Sequence, residues 1–205
     1  MGKIKLTKGE LKKQRDSLKR YERYLPILQL KKQQIQMEIL HQLIALEESR
    51  RAETEKAGSA VTWAGLLSDE KIDIKPWIRP ERIVAGTRNI AGVDIPVFKE
   101  VLFGDPAYDL FAMPLWVDMA IAELKALVAV REEIKAVEKS IAILRAELRV
   151  TTQRVNLFEK VKIPEAEESI RIIKIYIGDQ MTNAVGRSKI AKRKIGETIL
   201  EGAFA

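Results

Sequence analysis

The chain contains no cysteine and only one histidine, His41, in 205 residues. Without thiols there is neither a disulfide framework nor a thiolate metal site, and zinc chemistry of the usual kind has no ligand set to draw on. Aromatic residues are scarce at 6%, against 32% charged residues, which leaves little material for a globular core and much for solvated helix faces. No stretch approaches the roughly 20 consecutive apolar residues of a membrane span. Met1-Gly2-Lys3-Ile4-Lys5-Leu6 also lacks the apolar core of a secretion signal. The expectation is a cytoplasmic protein that does not insert into a membrane.

What the chain does have is apolar residues at coiled-coil spacing in two long arms. In the first, Leu11, Leu18, Leu25, Ile39 and Leu46 share one seven-residue lattice, interrupted by Lys32. A companion lattice three residues on reads Gln14, Tyr21, Leu28, Ile35, Gln42 and Ser49. Pro26 lies inside this arm and should bend a helix that nevertheless continues. In the second arm Ile134, Val137, Ile141, Leu144, Leu148, Thr151, Val155 and Phe158 alternate steps of three and four. Leu124, Leu127 and Arg131 lead into it, with a phase slip near Ile134. Each arm can bury its stripe only against the other, so the predicted fold class is mainly α: a long antiparallel two-helix coiled coil, each arm about 70 Å long at about 1.5 Å per residue.

The expected organisation is an N-terminal arm over residues 1–57, a middle hairpin or knob over 58–116, and a C-terminal arm over 117–205. The middle holds Trp63, Trp77 and Trp116 and five of the seven prolines. Arg82-Ile83-Val84-Ala85 and Val93-Asp94-Ile95-Pro96-Val97-Phe98 read as short strands around Arg88-Asn89-Ile90-Ala91-Gly92, with Pro96 on an edge. This piece is expected to cap the coiled coil opposite the termini. Pro164 closes the second arm and suits the first turn of a further helix, in which Ile170, Ile173 and Ile177 continue an apolar face.

The net charge of +7 is unevenly spread. Residues 1–57 carry 14 basic and 8 acidic side chains, 58–116 carry 6 and 8, and 117–205 carry 16 and 13. Lys12, Lys13, Arg15 and Arg20 belong to one basic cluster, and Arg187, Lys189, Lys192, Arg193 and Lys194 form another with no acid among them. Antiparallel arms would bring the two clusters to one electropositive tip.

Catalytic chemistry is hard to assemble from these residues. His41 sits mid-helix between Leu40 and Gln42 with no nucleophile at motif spacing, so a surface role outweighs a catalytic one. No GxxxxGK[ST] loop and no dinucleotide fingerprint is present. Glu47-Glu48, Glu132-Glu133 and Glu167-Glu168 read as solvated helix faces, and no metal or cofactor is expected. Nucleic-acid binding has basic charge in its favour but no recognition motif, and interleaved glutamates oppose it.

Thr151-Thr152-Gln153-Arg154-Val155-Asn156-Leu157-Phe158-Glu159-Lys160-Val161, followed by Ile163-Pro164, resembles the signature of the D subunits of V-type and A-type rotary ATPases. Lys13-Gln14-Arg15-Asp16, Tyr24-Leu25-Pro26, Asn89-Ile90-Ala91-Gly92-Val93 and Ile95-Pro96-Val97-Phe98 match the family in order, in the manner of a divergent bacterial branch. The resemblance implies a non-catalytic central-stalk rotor shaft, peripheral to the membrane as part of the ATPase complex. Its partners would be the catalytic and regulatory subunits of a hexamer, a small stalk subunit and a membrane-side adaptor. Lys12, Lys13, Arg15, Arg20, Arg187, Lys189, Lys192 and Arg193 would then face the hexamer, while Leu11, Leu18, Leu25, Ile39, Leu46, Ile141, Leu144, Leu148, Val155 and Phe158 would hold the seam. A free-standing coiled-coil adaptor is the competing reading.

Overall fold

Thr7 caps the start of the first helix. Its Oγ1 accepts the Glu10 backbone N–H at 3.2 Å, satisfying one of the donors that a helix start leaves unpaired. From there α1 runs over Lys8–Val61 without interruption, with Pro26 inside it. In the computed structural model, which describes residues 5–65, 73–105 and 113–203 and side chains as far as 196, the elements that follow are α2 (Lys75–Ile78), β1 (Pro80–Ile90), β2 (Val93–Phe103), α3 (Trp116–Leu157), a π-helical turn (Phe158–Lys162) and α4 (Ile163–Ala203). The molecule is mainly helical with a two-stranded antiparallel sheet in the middle of the chain, as its periodicity predicts.

Contacts divide the chain into two compact units, residues 30–152 and residues 1–29 with 153–205. In the first, α1 and α3 pair antiparallel through the predicted lattices. Ile35, Ile39 and Leu144 are buried in one cluster, and Leu46, Ile134 and Ile141 in another. Cross-helix ion pairs record the register: Lys31 with Glu147, Arg50 with Glu138 and Arg131 with Glu53, each at 2.8 Å, so that positions rise along α1 as they fall along α3. Farther along, the Trp63 indole N–H donates to Glu123 at 2.8 Å. One detail departs from the sequence reading. Val130, rather than Arg131, packs into the seam, because the aliphatic residue fits the core while the guanidinium turns outward to Glu53. The two successive steps of three therefore fall at Leu124, Leu127 and Val130, earlier than Ile134.

The hairpin also departs from expectation. Its strands extend over Pro80–Ile90 and Val93–Phe103, taking in Arg88, Asn89 and Ile90 that the sequence assigns to the connection. Two residues suffice for the turn, Ala91 (φ 51°) and Gly92 (φ 77°), because paired left-handed conformations match the twist of the flanking strands. Asn89 Oδ1 accepts the Gly92 N–H at 3.1 Å, and Asn89 Nδ2 donates to Asp94 at 2.6 Å. Instead of capping the helix pair, the hairpin lies back along it. Val93 and Ile95 enter the Ile35–Ile39–Leu144 cluster, the buried Ser140 hydroxyl donates to the Pro96 carbonyl at 2.6 Å, and Lys125 Nζ reaches the Gly104 carbonyl at 3.3 Å. The physical reason is apolar area: a two-helix seam leaves flanks open, and Val93 and Ile95 cover one. At the start of α3, Ile74, Val117 and Ile121 form a third cluster with Trp77 and Trp116 beside it.

In the other unit, Tyr21 stacks obliquely on Phe158 with ring centroids 5.3 Å apart, and Leu18 lies beside Ile170 and Lys174. Val155, Ala166, Ile170 and Ile173 are buried, whereas no α1 residue before Ile35 is fully buried. Pro164 lies in the first turn of α4, as predicted, but without a break before it. The π-turn, closed by the Ile163 N–H to the Phe158 carbonyl, carries α3 directly into α4.

Candidate partner-binding surfaces

Lys12, Lys13, Arg15 and Arg20 are exposed on α1, and Arg187, Lys189, Lys192 and Arg193 are exposed on α4. Arg20 is tethered, donating to the Asp16 carbonyl at 3.3 Å and the Ser17 hydroxyl at 3.2 Å. Among the described residues, Lys12, Lys13, Arg15, Arg187, Lys189 and Lys192 form no ion pair. Both clusters lie at the same end of this unit but in succession. Leu18 is level with Ile170 to Ile175, so Arg187 stands about 12 residues, or about 18 Å, beyond that level. One patch, as the sequence suggested, becomes a basic collar on α1 and a basic stretch of α4 that is exposed as far as residue 196.

The seam residues divide in burial. Ile39, Leu46, Ile141, Leu144 and Val155 are buried, while Leu11, Leu18, Leu25, Leu148 and Phe158 are half-buried. On the solvent side near α4's start, two hydrogen bonds from the Arg171 guanidinium at 2.6 and 2.7 Å hold the Glu168 carboxyl below the ordinary glutamate range and Arg171 above its own. His41 is exposed, 4.0 Å from Glu38, and Glu38 is the hub of the hairpin's attachment to α1, bonded by Arg88 and by Gln42 at 2.9 Å. Among the described residues no three His, Cys, Asp or Glu side chains gather as metal ligands would.

The sequence reading did not use a second apolar stripe on α1. Leu30, Met37, Leu40 and Ile44 are all more than half exposed, from 55% for Leu40 to 59% for Ile44. Its signal was present: Leu30, Met37 and Ile44 form a seven-residue lattice of their own beside the seam. Met181, Val185, Ile190 and Ile195 are similarly exposed on α4, interleaved with the basic residues. On α1 the four side chains form one stripe, whereas on α4 they are spread around the helix.

The family model for the D subunit of ATP synthase matches residues 10–193. The chain belongs to the ATP synthase D-subunit family. The V-type ATP synthase D subunit of Borreliella burgdorferi is 47% identical over 199 residues, covering 95% of this chain and 96% of that one. Its counterpart in Chlamydia abortus is 37% identical over 196 residues, covering 94% and 93%, and that of Chlamydia felis is 34% identical over 194, covering 94% and 93%. The family match thus spans α1, the hairpin, α3 and the basic cluster of α4 as far as Arg193. Among the described residues, no helix is long and apolar enough to cross a membrane.

Proposed function

We propose that this chain is a central-stalk rotor subunit of a V/A-type rotary ATPase or ATP synthase, coupling ATP turnover in a catalytic hexamer to proton or sodium transport. The observation that carries the reading is the family match over residues 10–193. The chain performs no chemistry; it transmits rotation. The exposed end of α4, with Arg187, Lys189, Lys192 and Arg193 set among Met181, Val185, Ile190 and Ile195, faces the catalytic and regulatory subunits, steered by charge and seated by apolar contact. The exposed α1 stripe from Leu30 to Ile44 offers apolar area for the small stalk subunit, and the membrane-side adaptor completes the partner set. The protein acts at the cytoplasmic face of the membrane, as a peripheral part of the complex.

The test is a tagged copy expressed in its own cells. Catalytic ATPase subunits are expected to co-purify with it, and joint reversal of Arg187, Lys189 and Lys192 to glutamate is expected to lower ATP hydrolysis by the recovered complex several-fold while helicity stays unchanged. Recovery of the chain without catalytic subunits would sink the rotor reading in favour of a free-standing adaptor.

A further inference from the structure

The helix that leads from α3 into α4 changes its seam at the π-turn. Continued at steps of three and four, the seam through Thr151, Val155 and Phe158 would pass to Lys162, Glu165, Ser169, Ile172 and Tyr176. The residues that are buried instead are Ala166, Ile170 and Ile173, each one place further along. One residue turns the face of an α-helix by about 100°, and the wide turn at Phe158–Lys162 takes up that extra residue, so that the isoleucines still meet α1.

Two further observations bear on how firmly this choice is held. The unused lattice is polar at Lys162, Glu165 and Ser169, with Lys162 paired to Glu165, but carries Ile172 and Tyr176 beyond them, 38% and 40% exposed. On the facing part of α1 Leu11 and Leu18 are only half-buried, and no α1 residue before Ile35 is fully buried, although Ile173 on α4 is. Against this, Pro164 stands where an ordinary α-turn would drive its ring into the carbonyl of Lys160, so the proline favours the widened turn.

We propose that α4 has two registers against α1: a dominant one with Ala166, Ile170 and Ile173 in the seam, and a minor one with Ser169, Ile172 and Tyr176 there. They interconvert by loss of the π-turn and rotation of α4 by about 100° about its own axis. Pro164 sets the balance. Arg187, Lys189, Lys192 and Arg193 ride on the same helix, so the exchange re-aims the basic end of the unit while leaving α1 in place. This does not depend on the rotor reading.

The absence of native cysteine makes the exchange directly trappable in the full chain. Three double variants share Leu18→Cys, paired with Ile170→Cys for the dominant register, Ser169→Cys for the minor one, and Glu168→Cys as an outward control. Under mild oxidation the Ile170 pair is expected to close fastest and the Ser169 pair several-fold faster than the Glu168 pair. Adding Pro164→Ala should raise the Ser169 rate relative to the Ile170 rate, and the Ile170 cross-link shows in each background that α4 is still docked. Deleting Glu159 removes the extra residue, and should keep the Ile170 cross-link while reducing the Ser169 pair to the control rate. A Ser169 pair no faster than the control, with or without Pro164→Ala, overturns the proposal. So does a Ser169 cross-link that persists unchanged in the deletion, since it would then report fraying.

Discussion

Residues 30–152 and the unit formed by 1–29 with 153–205 draw on similar heptad patterns but pack to different depths. In the first, Ile35 and Leu144 are fully buried where Val93 and Ile95 of the hairpin lie over the seam. In the second, α4 buries Ala166, Ile170 and Ile173, yet Leu11, Leu18 and Leu25 opposite them stay half wet. Two helices alone bury some seam side chains, such as Ile173 and Ile141, and a third element extends that burial to both sides of the seam, as at Ile35 and Leu144. Among the described residues only the first unit has that third element, and in the second the α1 side of the seam stays half exposed.

The comparison can be broken most forcefully at Leu144. Leu144→Ala should cost about 2–5 kcal/mol in urea unfolding, as expected for a fully enclosed leucine, whereas Leu18→Ala should cost about 1 kcal/mol or less. Similar losses for the two would mean that the units are packed alike. Ser140→Ala comes next. It leaves the Pro96 carbonyl without its buried donor, at about 1–3 kcal/mol, and should speed amide exchange in the hairpin more than in α4; equal acceleration in both would contradict hairpin anchoring by this bond.

The smallest expected effect lies in the looser unit. Arg171 lowers the folded-state pKa of Glu168, so the pair's contribution to stability is present above the ordinary glutamate range and is lost as pH falls through the lowered value. Both groups face solvent, and the effect on melting should be slight. The clean readout is an NMR titration. Glu168 should titrate below an unperturbed glutamate and return to the ordinary range in Arg171→Gln; an unchanged titration in that variant would remove the ion pair from consideration.

Much of the helical pattern was legible in the residues themselves. Ile39, Leu46, Ile141, Leu144 and Val155 stand on the predicted lattices and are buried. The position of the hairpin is legible but its length is not, because Arg88 and Asn89 pair through their backbones while their polar side chains bond Glu38 and Asp94, so no apolar alternation betrays them. The docking of the hairpin is hidden for a different reason: Val93 and Ile95 read as strand residues, and nothing in their pattern says which flank of the helices they cover or that Ser140 donates to the Pro96 carbonyl. The π-turn leaves only a faint trace, in that Ile170, Ile173 and Ile177 fall one step out of phase with Phe158. Among the basic residues both clusters were visible, but their stagger follows from the register of α1 against α4, which no single segment contains. Leu30, Met37 and Ile44 were as periodic as the seam; only burial tells an inner stripe from an outer one.

The hairpin's position also divides the search for the native topology. Ile39 and Leu144 are separated by about 105 residues of chain, and closing that loop in one step carries a large entropic cost that grows with the logarithm of its length. Val93 and Ile95 lie near the middle of that interval and touch both sides. Each helix therefore has a partner about 50 residues away, and halving a loop lowers its closure cost by about 0.6 kcal/mol. A sheet formed from neighbouring residues by a two-residue turn is thereby a splint on which two distant helices are set in register.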